Sequence, residues 1–400
     1  MTGSEKIVRV AARGDGVTES GKHVAGAAPG DVLEADGTLT PGPHHVKPPC
    51  RHYGTCGGCQ LQHLDPVAFS QFVSDRVTNA AEAAALHPAS VELASVSPPY
   101  SRRRSSMRAI NGGGRPLIGF TQAGSHKVVD LAECLILTPE LFALVAPLRR
   151  YFGKLKGRYS IEIEMTLTDQ GVDLGLKGFM PDGLDQTEDL LDFCRDNRLA
   201  RLTLDQGYGA EGFWEPEPVT VTLGGTPVAF PAGAFLQPTV WGETTLVHAA
   251  EDWLEGCGNV ADLFAGLGTF ALPLARKGKV LAAEADRAAI LALRSAANAA
   301  RLPLETAHRD LFRNPLRAEE LAAFDGVLLD PPRAGARAQV EQIVASGVER
   351  VVYISCNPAS WAKDSSMLKA AGYELVELVP LGQFLWSTHV ELASLFLKRG

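Results

Sequence analysis

The chain has no apolar run of the roughly 18 residues that a membrane helix needs, so a soluble protein is expected. Its first residues, MTGSEKIVRV, hold no apolar signal-peptide core, and a cytoplasmic location is expected. There is no excess of positive charge: 38 Lys and Arg stand against 46 Asp and Glu, a net charge of −8. That balance excludes coating nucleic acid by bulk charge and leaves any such contact to a local patch. Cysteine is scarce and odd in number, seven residues unevenly placed. Without a secretion signal, this argues for reduced thiols used in metal binding or chemistry, not for a disulfide framework. No internal repeat at a fixed period is present.

Four hundred residues exceed what one core serves, and two or three domains are expected. Residues 1–46 are rich in Gly and Pro with short polar–apolar alternation, which predicts a few short strands, too few for a complete barrel. Residues 47–64 hold three of the seven cysteines. In 65–90, Phe69, Phe72, Val73 and Val77 fall at helical spacing, predicting one amphipathic helix that packs on the C-terminal domain. Residues 91–230 alternate with period two in YSIEIEMTLTDQGVDLGLKGF and PVTVTLGGTPVAF, predicting an antiparallel α+β domain that includes Cys134. From 231 to 400, strands such as NVADLFAG, FDGVLLDPP and VVYISCNP alternate with Ala/Leu-rich helices. The whole is then a multidomain α/β protein with a Rossmann-like C-terminal domain.

Gly266 and Gly268 follow an apolar strand directly and open a helix, a turn that lets backbone approach a ligand. Glu284 ends the next strand, 18 residues after Gly266, where a carboxylate can accept both ribose hydroxyls of an adenosine. The third glycine of the dinucleotide fingerprint is missing. With Asp262 four residues ahead of Gly266, the turn fits S-adenosylmethionine better than NAD. Asp330 and Cys356 each close a later strand, one before Pro331-Pro332 and the other before Asn357-Pro358. Ligands of open α/β sheets sit outside the carboxyl ends of strands, so both side chains can face one crevice. Taken alone, Asp330 also reads as a turn starter and Cys356 as a buried filler.

In order, DLFAGLGTF, DPPRAG, SCNP and the terminal HVE resemble the motifs of the RNA 5-methyluridine methyltransferases, which are class I enzymes dependent on S-adenosylmethionine. The resemblance implies Cys356 as the nucleophile that adds to C6 of uracil and Glu391 as the base that removes the C5 proton. It implies donor contacts from Gln237, Phe264, Gly266, Glu284 and Asp330, and also from Thr269 and Asp310. Where the family usually has Asn two residues after the Gln, this chain has Thr239. The family commonly begins with a five-stranded RNA-binding barrel of the TRAM type; only about 46 residues precede Cys50 here, which implies a reduced one.

Cys50, Cys56 and Cys59 need a fourth ligand, for which Cys134 is the candidate. Spacing alone leaves iron–sulfur and zinc equally open. The ribosomal-RNA branch of the family carries a [4Fe-4S] cluster on this pattern, so the resemblance implies that cluster and 23S ribosomal RNA as the partner. His44, His45, His52 and His63 are of a type that can ligate, and turn or solvated residues are the favoured reading. Arg102, Arg103, Arg104 and Arg108 are concentrated in YSRRRSSMR, and Arg suits phosphates through its planar fork of donors. A monomer with no membrane contact is expected. The alternatives are a tRNA uridine C5 methyltransferase, and a non-catalytic iron–sulfur RNA-binding protein.

Overall fold

The computed structural model describes residues 3–111 and 114–399. Met1 and Thr2 in the first expected segment, Gly112 and Gly113 in the central one and Gly400 in the last lie outside the described residues. No described helix is long and apolar enough to cross a membrane.

Five strands form an antiparallel sheet over the first forty residues: Glu5–Val10, Gly16–Thr18, His23–Val24, Val32–Leu33 and Leu39–Thr40. These are short strands, as expected, in one five-stranded sheet. Four of the five are only two or three residues long. Asp31 is fully buried beneath this sheet and accepts from Ala28 N, Gly42 N and His45 Nδ1, which anchors the following segment.

Helix Pro66–Ala83 starts where Asp65 accepts from Ala68 N and Pro66 fills the first helical position. Its apolar stripe of Phe69, Phe72, Val73 and Val77 is buried against helix Pro358–Ala370 and strand Tyr373–Gly382. Strands Ser90–Val91 and Ser95–Val96 then pair in parallel with Tyr373–Gly382. The C-terminal sheet thus reaches past residue 91, where the periodicity placed the central domain's start.

The central sheet runs Glu211–Trp214, Arg201–Asp205, Gly171–Lys177, Tyr159–Thr168, Arg104–Asn111, Leu117–Gly119. It is antiparallel except for Gly171–Lys177 beside Arg201–Asp205, which are parallel because helix Gly183–Asp196 carries the chain back between them. Helices Pro139–Ala143, Val145–Phe152 and Gly183–Asp196 cover one face, burying Met107, Ile161, Ile163, Leu174 and Leu202. The opposite face carries Arg104, Ser106, Arg108, Glu162, Glu164 and Lys177.

The hairpin of Thr220–Leu223 and Thr226–Ala229 departs from its expected place in the central domain. It forms its own two-stranded sheet, and Val221, Leu223 and Val228 pack into the C-terminal core with Leu246, Ile290 and Leu293. Period-two alternation specifies that a strand has one apolar face, but not which core that face meets.

The C-terminal sheet has nine strands. Five are parallel in the order Leu304–His308, Lys279–Glu284, Asn259–Leu263, Gly326–Leu329, Arg350–Ser355, followed by antiparallel Glu391–Lys398 and then Tyr373–Gly382. The order reverses between Asn259–Leu263 and Gly326–Leu329, so the ligand crevice of an open α/β sheet opens at Asp262, Phe264 and Asp330.

Candidate active site

The first crossover is held open by backbone geometry. Phe264 adopts φ of +66°, rare for a bulky residue, and is held there as its N–H and that of Ala265 both donate to Ala283 O. The two glycines serve different ends. A Cβ on Gly268 would lie 2.3 Å from Leu293 Cδ1, so this residue permits close packing of the helix Arg287–Ala299. A Cβ on Gly266 would meet nothing within 4 Å, so this residue, at φ +54°, faces open space. Glu284 is fixed at its strand end: Oε2 accepts from Gly266 N at 2.9 Å, and Oε1 accepts from Ala285 N and Asp286 N, both at 2.7 Å.

Phe264 and Phe312 place their rings 5.4 Å apart, an aromatic pair at the mouth of this turn. Phe312 was not expected from the sequence, where it is a lone aromatic in a polar loop. Asp310 shapes that loop by accepting from Phe312 N at 3.0 Å and Arg313 N at 3.3 Å. Thr269 is half-buried at the start of the short helix Ala271–Leu274.

Three carboxyl groups crowd the floor of the crevice. Asp262 is fully buried and neither of its oxygens has a hydrogen-bond partner. Burial, then the charges of Asp330 and Glu284, push it up to about 8. Burial pushes Asp330 up to about 7. Glu391 goes up to about 8, through burial and then Asp330. Unpaired buried carboxylates are costly unless a cation joins them. The donor set therefore fits a cationic ligand, and the sulfonium and ammonium groups of S-adenosylmethionine supply that charge.

Cys356 and Glu391 come from strands that neighbour each other in the sheet. Ser355 at the end of Arg350–Ser355 pairs with Leu392, the second residue of Glu391–Lys398. One further step in this antiparallel register sets Cys356 opposite Glu391. Burial, with Glu391 and Asp330 adding to it, pushes the Cys356 thiol up to about 11, while Arg333 opposes the shift. Asn357 ties the two loops together, its Nδ2 donating to Arg333 O at 2.9 Å and its Oδ1 capping helix Pro358–Ala370 at Ala359 N.

A hydrogen-bonded chain joins the expected base to the expected donor contacts. Gln383 Nε2 donates to Glu391 Oε2 at 2.6 Å and to Gln237 Oε1 at 3.2 Å. Gln237 Nε2 in turn donates to Asp330 Oδ2 at 3.3 Å. Gln383 carries no sequence signal, since it follows a strand without a recognisable motif. Thr239, in the place usually taken by Asn, caps helix Val240–Trp253 at Gly242 N and bonds Ser97 Oγ at 2.8 Å. Cys356 opens onto a cavity of about 910 Å³ whose wall includes Arg102, Arg333, Phe384, His389 and Gly58. Arg333 Nη2 lies 3.2 Å from His389 Nδ1, and Arg102 stacks over the Phe384 ring at 5.6 Å.

A family model described as tRNA (uracil-5-)-methyltransferase matches residues 226–399. An RNA methyltransferase of Zymomonas mobilis is 46% identical over 395 residues, covering 98% of this chain and all of that one. A 23S rRNA (uracil(1939)-C(5))-methyltransferase of Pectobacterium atrosepticum is 33% identical over 90% of this chain and 82% of its own. The chain belongs to the RNA 5-methyluridine methyltransferase family. The crystal structure of a Pyrococcus abyssi tRNA (uracil-54, C5)-methyltransferase with S-adenosyl-L-homocysteine shares the fold, at a TM-score of 0.75 and 22% identity, over 98% of this chain and 100% of that one.

In this methyltransferase Cys50, Cys56, Cys59 and Cys134 are all free thiols, and all four line one small cavity. Among the described residues no group of three or more His, Cys, Asp or Glu side chains could hold a metal ion. The nearby histidines are engaged elsewhere: His44 Nδ1 with Asp65, His45 Nδ1 with Asp31, His63 Nδ1 with Tyr53 Oη, and His52 Nε2 with Ala132 N. The cysteine segment bridges the two large domains. Gly57 N donates to Thr121 O of the central domain, and Gln60 N and Leu61 N both donate to Trp386 O in the loop before Glu391.

The arginine run of the methyltransferase divides by environment. Arg103 is buried and paired with Glu243, its Nε donating to Gln237 O at 2.9 Å. This overturns its expected place among the phosphate contacts, because a guanidinium enclosed by protein cannot reach RNA. Arg104 donates to Leu236 O at 2.7 Å and lies 4.9 Å over the Phe235 ring. Arg102 lines the Cys356 cavity, and Arg108 lies at its edge, paired with Glu162 at 3.0 Å.

Proposed function

We propose that this methyltransferase modifies C5 of a uridine in 23S ribosomal RNA through a covalent bond between Cys356 and C6 of the base. Cys356 Sγ adds to C6, and the ring becomes an enolate with C5 as its nucleophilic carbon. Bound S-adenosylmethionine supplies the electrophilic methyl group. Glu391 takes the proton from C5, and the electrons of that C–H bond restore the C5–C6 double bond as Sγ leaves. The register that sets Cys356 opposite Glu391 carries this reading. Gln237, Phe264, Gly266, Thr269, Glu284, Asp310 and Asp330 would hold the donor: the carboxylate of Glu284 at the ribose, Asp330 beside the base, and the two aromatic rings at the adenosine end. The target uridine must leave any stack to enter the cavity.

The RNA class is supported by the 33% identical relative that acts on 23S rRNA; the family model's name and the tRNA enzyme with the same fold favour tRNA as a second reading. Mapping of 5-methyluridine by mass spectrometry, in ribosomal and transfer RNA from a strain lacking the gene, decides between them. For the chemistry, Glu391→Gln with transcribed ribosomal RNA should accumulate a covalent protein–RNA species that survives denaturing gels. Cys356→Ala should form none and should lose turnover while retaining S-adenosylhomocysteine binding. Full activity in Cys356→Ala would overturn the assignment.

The same reading places a [4Fe-4S] cluster on Cys50, Cys56, Cys59 and Cys134. Their shared cavity supports it, because a cluster holds each thiolate on a separate iron and does not require them to converge on a single ion. The N-terminal sheet is read as a TRAM-like RNA-binding domain and the central sheet as a second RNA surface. Anaerobic purification with iron and sulfide analysis tests the cluster; stoichiometric zinc without iron would overturn it.

A further inference from the structure

Gln383 occupies an unusual position in the site. It is 2% exposed, and the two N–H groups of its amide reach two acceptors, Glu391 Oε2 at 2.6 Å and Gln237 Oε1 at 3.2 Å. Its Oε1 is buried without a partner. The room it occupies exists because residue 242 is glycine: a Cβ there would fall 2.5 Å from Gln383 Oε1 and 2.9 Å from its Cβ. Gly242 lies in the first turn of helix Val240–Trp253, where glycine weakens a helix, although a Cβ there would also come within 3.0 Å of the capping Thr239 Oγ1. The local disadvantage is explained by the side chain it accommodates.

We infer that Gln383 is a positioning residue that donates to the Glu391 carboxylate and aims it at the substrate, and that links this base to the donor-contacting pair Gln237 and Asp330. The inference rests on Glu391 being the base of the proposed function. An amide N–H bonded to a carboxylate favours its charged form, which is the form that accepts a proton. The surroundings of Glu391 otherwise oppose that charge. Asp330 faces it and repels, the Cys356 thiol lies beside it, and Arg333 is a cation that favours the carboxylate. Gln383 therefore offsets burial at the atom that does the work. The donor side is connected through the same nitrogen.

The test is the pH dependence of single-turnover methyl transfer to transcribed ribosomal RNA in Gln383→Met, which keeps length and loses the donor. Without the N–H, Glu391 holds its proton to higher pH, so the acidic limb of the profile should move up by about one unit. The rate near pH 6.5 should then fall about tenfold, and the rate near pH 9 should stay within about twofold of the parent. S-adenosylhomocysteine affinity should change little. Gly242→Ala should reproduce the shifted limb by displacing Gln383. An equal loss at every pH, or an unmoved limb in a folded Gln383→Met protein, would overturn the inference. Glu391→Gln separates the two levels: retained turnover there would sink the base assignment itself, whereas lost turnover with an unmoved Gln383→Met limb would sink only the role given to Gln383.

Discussion

Ser355 pairs with Leu392, and this register brings residues 37 apart in sequence to the same end of the sheet. Cys356 follows directly on one strand and Glu391 opens the other, so the proposed nucleophile and base sit at the end of a hydrogen-bonded ladder. Glu391→Asp withdraws the carboxylate by one methylene without changing its charge. The methyl-transfer rate should fall by about 10²-fold, since small misplacements in a positioned site cost on that order. Affinity for S-adenosylhomocysteine should be unchanged, and single-turnover kinetics beside calorimetric titration would check both.

The carboxyl cluster makes stability depend on pH in a definite direction. Asp262, Asp330 and Glu391 are pushed up to about 8, 7 and 8, above the ordinary carboxylate values they regain on unfolding. Between those ranges the folded protein binds more protons than the unfolded one, so its stability declines as pH rises from about 4 toward 8. Thermal melts of the donor-free protein should show the midpoint dropping by a few degrees across this window. Asp262→Asn removes one of the three groups and should flatten the dependence while weakening donor binding. A midpoint that falls as steeply in Asp262→Asn as in the parent would count against it.

Arg103 and Arg102 are adjacent in sequence and should behave differently. Arg103→Met strands the buried carboxyl of Glu243 and should destabilise by about 3–5 kcal/mol in denaturant titrations. Arg102→Gln should destabilise less than Arg103→Met and reduce the salt slope of RNA binding by about one, because Arg102 lines the Cys356 cavity. Equal slopes in Arg102→Gln and the parent would exclude a phosphate role.

Gly268 offers a test of packing rather than chemistry. Gly268→Ala forces a methyl group to 2.3 Å from Leu293 at a backbone angle of φ +92°, and should cost about 1–3 kcal/mol. Gly266→Ala meets no neighbouring atom, so its larger effect should appear in donor affinity. Thermal shifts with and without S-adenosylhomocysteine would separate the two.

The features legible in the sequence are those set by a few consecutive residues. A strand that runs into Gly266, Asp330-Pro331 or Cys356-Asn357-Pro358 states its own ending, and strand ends in an α/β sheet face the ligand crevice by geometry alone. Helix Pro66–Ala83 was likewise visible in its 3.6-residue spacing. The tertiary structure decided what depends on meetings between distant segments. Period two gave the hairpin Thr220–Leu223/Thr226–Ala229 an apolar face but not the core it joins. Charge alone made Arg103 look like its neighbours, and only the arrival of Glu243 140 residues later enclosed it. Gln383 and Gly242 carry no local signal, since their significance is one hydrogen bond and one missing methyl between elements 141 residues apart. Local backbone preference writes itself into short stretches of sequence, whereas side-chain partnership is fixed only when the sheet register has closed.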